Sequence, residues 1–516
     1  MTRAAGSAAG FPAPDFCASV RFVKSLFAAR LPARRLLGPG LFLAVAWASL
    51  VLAAQPCRAA RVAMSGQFYA YAASYANRLF TPWTTVRAQA QDAFAVWQRL
   101  RLRTDFTSDE NLGFTFWVQV DNTPWGNATY TVDNPAPAIE VFKAYLQFKW
   151  PGTDVEITAG KFSTTLPQSE AFTGSVVLDS EYPAVAVEVP LGEGASLQAA
   201  VGRPLGYADA LESATGRATD VLDLAWLSLP LTGEGWSFTP WAAAARLART
   251  PAPAPYAGAL GGPPDLGYIR RQVLSLGYFE GRGGFAGDAA PYAWAGAALK
   301  RGMGDFTLFA DLVGGAGAWA DAPRNARRGL FADMALEYAG SDRVTPRLFA
   351  WWGSGEDADI GNGSERLPTL VRTWNSGLSY LFFTSETIDN ETTLVADPTG
   401  SWGLGLTLDK IALVEGLSSR LTAAYMRGTS DPAAFRRSVA LSGQGYMVEM
   451  GRNLTLNEAI VALNFDHSYA VTEQLTLLVE TGWARPLGFQ ASVWGPSMAG
   501  AATDSVKVAV GLLYTF

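Results

Sequence analysis

The sequence predicts an all-β fold, a transmembrane antiparallel β-barrel of about eighteen strands, with sixteen as the alternative. Three observations carry this prediction: the composition, a residue period of two, and the last strand. Charged residues make up 17% and aromatic residues 12% of the chain, and the mean hydropathy is only +0.10. A helical membrane protein would be far more hydrophobic, whereas the alternating faces of barrel strands cancel in such an average.

Charge and cysteine are distributed unevenly along the chain. Residues 1–60 hold seven basic residues and one acidic residue, which leaves 33 basic and 45 acidic residues in the remainder. An acidic chain without a run of lysine and arginine offers nucleic acid no binding surface. Both cysteines, Cys17 and Cys57, also precede residue 61. The rest of the chain can therefore form neither a disulfide framework nor a cysteine metal site.

The N-terminus has the pattern of a secretion signal. Arg34 and Arg35 precede an apolar run over residues 36–54, and small residues surround Arg58. This order of a basic region, an apolar region and a small-residue end is typical of a cleaved signal peptide. We expect residues 1–60 to be a signal peptide with an N-terminal extension, and residues 61–516 to be the barrel. An uncleaved membrane anchor is the alternative.

From residue 61 onward the apolar side chains recur at every second position, the period of a β-strand. In residues 95–106, one face carries apolar side chains and the other carries mainly charged ones. The first face comprises Val96, Leu100, Leu102 and Phe106, and the second comprises Trp97, Arg99, Arg101, Arg103 and Asp105. A short polar turn over residues 108–111 then leads to a second alternating run.

The links between predicted strands alternate between short and long. The short ones are rich in turn residues and are expected at 151–153, 192–194, 232–235, 302–303, 340–342 and 472–473. The long ones are expected at 76–93, 122–138, 163–183, 205–218, 250–289, 354–399, 429–455 and 485–504. Short periplasmic turns at one end and long extracellular loops at the other are typical of outer-membrane barrels. The strand-like segments 268–280 and 373–383 would break this order, so we assign both to loops.

The last strand gives the clearest local pattern. Alternate apolar residues extend over about ten positions, which suffices for a tilted strand to cross a bilayer; they are Val506, Val508, Val510, Leu512, Tyr514 and Phe516. A core strand of a soluble β-protein is the alternative. Aromatic residues near strand ends would form interfacial girdles in a membrane; they are Tyr69, Tyr71, Trp125, Trp150, Trp351, Trp352, Trp402, Tyr425, Trp483 and Tyr514.

Several stretches resemble the outer-membrane homotrimeric porins of Desulfovibrio-type bacteria. They are residues 98–103, 121–127, 353–357, 362–369, 400–404 and 422–429. The resemblance implies a trimeric porin with one loop folded into the pore. Tyr514 and the terminal Phe516 likewise resemble the signal that the barrel-assembly machinery recognises.

The alternation indicates which side chains line the pore. Because arginine in hydrocarbon is costly, Arg99, Arg101 and Arg103 should face the lumen. The next hairpin should send Phe142, Leu146 and Phe148 outward and Lys143 inward. In trimeric porins the loop after the fifth strand enters the channel, which here is 163–183. Its acids are expected to face the arginines across a constriction; they are Glu170, Asp179 and Glu181. The alternative is that the arginines pair with lumen acids and only stabilise the wall.

Catalytic and metal-binding functions have little support in the sequence. The single histidine, His467, has no nucleophile elbow near it. The acids Glu356, Asp357 and Asp359 lack the spacing of a calcium loop. We therefore predict no enzyme activity, no cofactor and no metal site.

These patterns lead to a functional expectation. The protein should be an outer-membrane porin that lets small hydrophilic solutes and ions diffuse passively through a water-filled pore. Its expected partners are outer-membrane lipid, lipopolysaccharide, the barrel-assembly machinery and two further copies in a homotrimer, with no nucleic acid. The alternatives are a channel selective for a sugar or an anion, a structural barrel without conductance, and a soluble periplasmic β-protein.

Overall fold

The structure, a computed structural model, covers most of the region expected to form the barrel. It describes residues 61–77, 80–81, 93–124, 139–206, 221–248, 289–320, 323, 326–359, 361–370, 397–412, 414–436 and 450–516. The expected signal segment 1–60 and the strand-like segments 268–280 and 373–383 lie outside these residues.

Long strands dominate the described residues. In chain order they are β1 (Arg61–Ala76), β2 (Ala93–Asp109), β3 (Leu112–Pro124), β4 (Ile139–Lys149), β5 (Glu156–Thr165), β6 (Asp179–Gly192), β7 (Ala195–Gly206), β8 (Val221–Ser228), β9 (Leu231–Gly233), β10 (Trp236–Ala248), β11 (Ala289–Met303), β12 (Phe306–Gly317), β13 (Arg327–Tyr338), β14 (Thr345–Gly353), β15 (Ser401–Ile411), β16 (Leu417–Gly428), β17 (Ala459–Ala470), β18 (Leu475–Leu487) and β19 (Ser505–Thr515). Two short helices, Ala491–Trp494 and Pro496–Gly500, precede β19.

The strands close into a barrel of eighteen positions. Each strand pairs with the next, except that β8 and β9 share one position, and β1 pairs with both β2 and β19. The short β9 continues β8 after Pro230, which has no N–H to donate, and both segments pair between β7 and β10. At the closing seam Gly66 and Phe516 exchange two backbone hydrogen bonds of 2.8 and 3.0 Å. The prediction of eighteen strands is confirmed, and the alternative of sixteen is wrong.

The connections alternate as predicted, with differences in their bounds. One end of the barrel carries short connections, here called the turn end, and the other carries the long ones, here called the loop end. β11 runs through Met303, so its turn lies at Gly304–Asp305, two residues beyond the prediction; Gly304 has a φ of +63° there. The connection between β12 and β13 was not predicted. The loop expected at 163–183 spans only 166–178, because β5 and β6 extend into it.

The two faces of each strand differ as the period of two predicts. On β19, Val506, Val508 and Val510 are exposed on the outer face, whereas Lys507 and Ala509 are buried inside. The outer wall is therefore apolar along this strand, and polar side chains such as Lys507 point into the barrel.

The predicted aromatic girdle is correct only in part. Trp150, Trp352 and Tyr514 are exposed on the outside, whereas Tyr69, Tyr71 and Trp351 are buried on the inner wall, so for these three the prediction is wrong. A strand-end aromatic can point either way, and the parity of its own strand decides which. Trp125 lies outside the described residues.

Candidate pore constriction

The connection between β5 and β6 folds into the barrel. Leu166, Val177 and Leu178 are buried at its two ends, where Leu166 N–H donates to the carbonyl of Leu178 at 3.0 Å. At its centre the ring of Phe172 packs against Phe349 and Trp351, with centroids 5.9 and 6.2 Å apart. Because both partners lie on the inner face of β14, the loop reaches across the lumen to a distant part of the wall.

A buried carboxylate fixes the loop at Ser169. The backbone N–H of Ser169 lies 2.8 and 3.0 Å from the two oxygens of Asp311, and its hydroxyl donates to the same carboxylate at 2.5 Å. Asp311 lies on β12 opposite Asp333 of β13. Hydrogen bonds to a charged acceptor are stronger than neutral ones, so this contact holds the loop firmly against the wall.

Glu170 binds basic residues of the same wall. Its carboxylate lies 2.5 Å from Nζ of Lys300, and its carbonyl accepts a hydrogen bond of 3.0 Å from Arg347. Its backbone is in the left-handed region, with φ of +73°, which is unusual for a residue other than glycine. The charge of this predicted loop acid is thus neutralised by Lys300 of β11 and Arg347 of β14.

The three predicted arginines form a row along the inner face of β2, here called the arginine ladder. Each guanidinium lies over an aromatic ring, a favourable cation–π arrangement. The distances from the guanidinium carbon to the ring centroid are 4.2 Å for Arg99 over Tyr69, 4.0 Å for Arg101 over Phe142 and 5.5 Å for Arg103 over Trp117.

Polar side chains hold the ladder from the side. Arg101 Nε donates to Oε1 of Gln119 at 2.7 Å, and Gln119 in turn donates to Glu140 at 2.5 Å. Arg103 Nε lies 2.6 Å from a carboxylate oxygen of Asp105. The ladder therefore combines a net positive charge with fixed positions, the two properties a charged constriction needs.

Phe142 faces the lumen, contrary to the prediction that it faces outward. The register between β3 and β4 shifts at Trp117, which pairs with Lys143, while Val118 pairs with Val141. Phe142 is thus the extra residue of a β-bulge, which redirects side chains locally. Lys143 is the next residue, and its Nζ lies 4.6 Å from the ring centroid of Trp117. Leu146 is exposed on the outside, as predicted.

Asp179 and Glu181 lie at the start of β6, apart from Glu170. They alternate with the buried inner residue Tyr182 and so occupy outer positions of the strand, which makes the prediction that they face the arginines across the lumen wrong. Thr165 donates to Asp179 at 2.7 Å and Ser163 to Glu181 at 3.0 Å. Nζ of Lys143 lies 3.8 Å from Glu181. The structure therefore brings Lys143 and Glu181 together, and it places Glu170 against Lys300 and Arg347.

Further charged residues line the inner wall and were missed in the sequence. Arg347 lies 3.3 Å from Glu337, and Arg420 lies 3.0 Å from Asp409. Lys507 is fully buried on β19. Each alternates along its strand with side chains on the outer face, so applying the period of two to every strand would have found them.

The other candidate sites are occupied by structural hydrogen bonds. Glu356 accepts from Ser364 at 2.6 Å, and Asp357 accepts from the backbone of Asp359 at 2.7 Å. Ser419 Oγ lies 2.8 Å from Nδ1 of His467, but Ser419 is only 1% exposed, so this hydroxyl is inaccessible to a substrate.

The described part of the chain lacks two features, a metal-binding cluster and a membrane-spanning helix. It contains no group of three or more His, Cys, Asp or Glu side chains placed to hold a metal ion. None of its helices has the length and apolar character needed to span a membrane.

No protein-family model and no curated protein matches the chain. Solved structures of Pseudomonas aeruginosa proteins are similar to it. The outer membrane protein OpdK is 11% identical, with 88% of this chain and 98% of that chain covered and a TM-score of 0.49. OccK8 (OprE) is 10% identical, with 88% and 98% covered and a TM-score of 0.49. OccD3 (OpdP) is 12% identical, with 90% and 96% covered and a TM-score of 0.48. With so little identity, nothing about the solutes of those proteins carries over to this chain.

Proposed function

We propose that the protein is an outer-membrane porin through which small hydrophilic solutes and ions diffuse passively. The observation that carries the proposal is a closed eighteen-strand barrel with exposed apolar residues outside and charged side chains inside. Only a closed barrel satisfies every backbone hydrogen bond of a β-sheet in lipid. A charged inner face, in turn, favours water and polar solutes over lipid.

The constriction lies between the arginine ladder and the loop 166–178. Arg99, Arg101, Arg103 and Lys143 supply positive charge on one wall, and Glu170 is neutralised by basic residues on another. Rings of charge at the narrowest point of a pore set its ion preference. We therefore expect anions to pass more readily than cations.

A selective anion channel is the second candidate. It is favoured by the ladder itself, since guanidinium groups with fixed planes bind carboxylates in a defined geometry. In that case one anion would block the ionic current in a saturable manner. A general porin would instead show a conductance proportional to the salt concentration.

The assembly and the surroundings of the barrel are part of the proposal. The resemblance to homotrimeric porins of Desulfovibrio-type bacteria supports a trimer, and Tyr514 with Phe516 supports recognition by the barrel-assembly machinery. Residues 1–60 would direct export. Lipopolysaccharide would surround the loop end, where Arg427 and Arg485 lie on the outer faces of β16 and β18 beside Tyr425 and Trp483.

Recordings from the purified protein in planar bilayers test the function. We expect stepwise conductance in salt and, under a salt gradient, a reversal potential of the sign that indicates anion preference. A complete absence of conductance would favour the structural barrel. Extraction of the protein from cells without detergent would contradict the membrane location.

A further inference from the structure

Two carboxyl groups face each other on the inner wall behind the loop 166–178. Asp311 of β12 and Asp333 of β13 are direct partners in the antiparallel ladder. Asp311 is buried, and Asp333 lies on the same face of its strand as the buried Phe331 and Ala335. The Cβ atoms of such a pair are about 5 Å apart, and a hydrogen bond joins the two carboxyl groups. Because an ionised carboxylate can only accept hydrogen bonds, one of the two groups must carry a proton.

The contacts of the pair assign this proton to Asp333. Asp311 accepts from Ser169 of the loop, whose N–H lies 2.8 and 3.0 Å from its two oxygens and whose hydroxyl lies at 2.5 Å. Oδ1 of Asp333, in contrast, is buried without a hydrogen-bond partner among the described residues. A neutral carbonyl oxygen can be buried unpaired at a moderate cost, whereas an unpaired charged oxygen costs far more. Asp333 is therefore the neutral donor, and Asp311 is the charged acceptor between it and the loop.

The residues that face the pair from the adjacent strands are uncharged. Ala298 of β11 lies opposite Asp311, and Trp351 of β14 lies opposite Asp333. The charged groups nearest to the pair on these strands and on the loop form ion pairs with one another instead; they are Lys300 with Glu170 and Arg347 with Glu337. Loss of the proton would thus place two negative charges side by side without a basic partner among the described residues.

We propose that the proton on Asp333 attaches the loop 166–178 to the wall and that the loop is released as the pH rises. The hydrogen bond from Asp333 fixes the Asp311 carboxylate in the position in which it accepts from Ser169. When the proton passes to water or base in the lumen, repulsion between like charges replaces that hydrogen bond. The attachment is therefore strongest at low pH and is lost at higher pH. This regulation goes beyond the proposed function, and it makes Asp333 a positioning residue that acts through Asp311.

Hydrogen exchange of the loop 166–178 between about pH 5 and about pH 9, corrected for the intrinsic rate, tests the inference. We expect exchange in the unaltered protein to rise by about tenfold over this range, the factor for losing one hydrogen bond to a charged group. Asp333→Asn substitutes an amide of the same shape that donates at every pH, so exchange should stay slow and independent of pH. The control, Glu188→Gln, alters a second pair of directly opposed acids, Glu156 and Glu188 at the turn end of β5 and β6, and should keep the full dependence.

Infrared spectroscopy reports the proton itself. Protonated carboxyl groups have a C=O stretching band of their own, and Asp333→Asn should remove part of it. We expect that part to weaken over the same pH range in which exchange of the loop rises in the unaltered protein. Heat-modifiable gel mobility shows whether each variant is folded. Asp333→Ser, whose hydroxyl also donates at every pH, takes the place of Asp333→Asn if the amide variant does not fold.

The outcomes separate the attachment of the loop from the porin function. Exchange that is independent of pH in the unaltered protein, or that rises equally in Asp333→Asn, would overturn the inference. Bilayer conductance on the same preparations tests the function independently. A conducting channel whose loop does not respond to pH would refute the role of Asp333 and leave the porin standing. A pH-dependent loop in a barrel without conductance would do the reverse.

Discussion

Arg101 is held on two sides, by the ring of Phe142 below its plane and by Gln119 at its edge. Such contacts limit the rotamers open to a long side chain and keep its charge at one place in the lumen. Arg103 is held in the same way by Trp117 and Asp105. The charge of the ladder is therefore fixed relative to a passing ion, and changing it should change ion preference.

We expect Arg101→Glu to shift the permeability ratio toward cations. A change of two unit charges about 8 Å from an ion in water alters its energy by about 1 kcal/mol, favourably for a cation and unfavourably for an anion, so the permeability ratio should change by roughly thirtyfold. The reversal potential under a salt gradient measures this ratio. Arg343→Glu, in the turn between β13 and β14, is the control and should leave it unchanged. Equal reversal potentials for both variants would mean that the ladder only stabilises the wall.

Glu458 lies at the loop end, buried among the residues before β17. It accepts hydrogen bonds from the indole of Trp494 at 2.6 Å and from the backbone of Thr455 at 2.9 Å. Burial raises the pKa of this carboxyl, and the hydrogen bonds offset the shift only in part. The folded loop thus binds the proton more tightly than the unfolded loop does.

The stability of this loop should consequently fall as the pH rises from the ordinary glutamate pKa through the raised one, and should be greatest below both. Hydrogen exchange of residues 450–458 and 488–504, corrected for the intrinsic rate, measures it. Glu458→Gln should flatten the dependence, while Glu415→Gln, at an exposed turn, should retain it. A protection that increases with pH would contradict the prediction.

Among the elements, the loop 166–178 is attached at both a polar and an apolar point. Ser169 binds Asp311, and Phe172 packs on Phe349 and Trp351. The two contacts lie on the same wall, so losing either would free only one part of the loop. The polar contact can be removed without opening a large cavity.

Asp311→Ala should therefore loosen the loop. A hydrogen bond to a charged group contributes about 1.5–3 kcal/mol, so we expect exchange of residues 166–178 to rise at least tenfold. Open-channel noise should increase with it. Asp305→Ala, in the turn between β11 and β12, is the control. Unchanged exchange in the loop would show that Phe172 alone anchors it.

The last strand closes the barrel through Phe516, whose backbone exchanges two hydrogen bonds with Gly66. Deleting Phe516 removes this pair together with an outward aromatic ring. We expect a several-fold loss of heat-modifiable protein in the outer membrane. Phe306→Ala removes an exposed aromatic of β12 and should have a much smaller effect. An equal loss in both variants would argue against a specific role of the C-terminus.

The number of strands and the side of the wall to which each side chain points could be predicted from the sequence. Both follow from the period of two, as β19 shows. The direction of Phe142 could not, because a β-bulge adds one residue and appears only in the pairing with β3. The partners of Glu170 could not either. Lys300 and Arg347 are 130 and 177 residues away in the chain, and only the folded loop brings them together.

For the whole molecule, two equally exposed residues distinguish a membrane barrel from a soluble one. Leu312, in the middle of β12, and Val414, in the turn before β16, are each 60% exposed. In a soluble protein both would contact water. In a membrane Leu312 would contact hydrocarbon, and Val414 would remain in water beyond the turn end.

Replacing each by lysine turns this contrast into a measurement of unfolding free energy in lipid vesicles. We expect Leu312→Lys to lower it by about 2–4 kcal/mol, the cost of a basic side chain near the bilayer midplane. Val414→Lys should change it by less than about 0.5 kcal/mol, as is usual for exposed sites in water. Because the two variants carry the same new side chain at similar exposure, packing and net charge cancel in the comparison. Equal, small changes in both would mean that water surrounds the apolar outer wall, and the porin function would then fail with it.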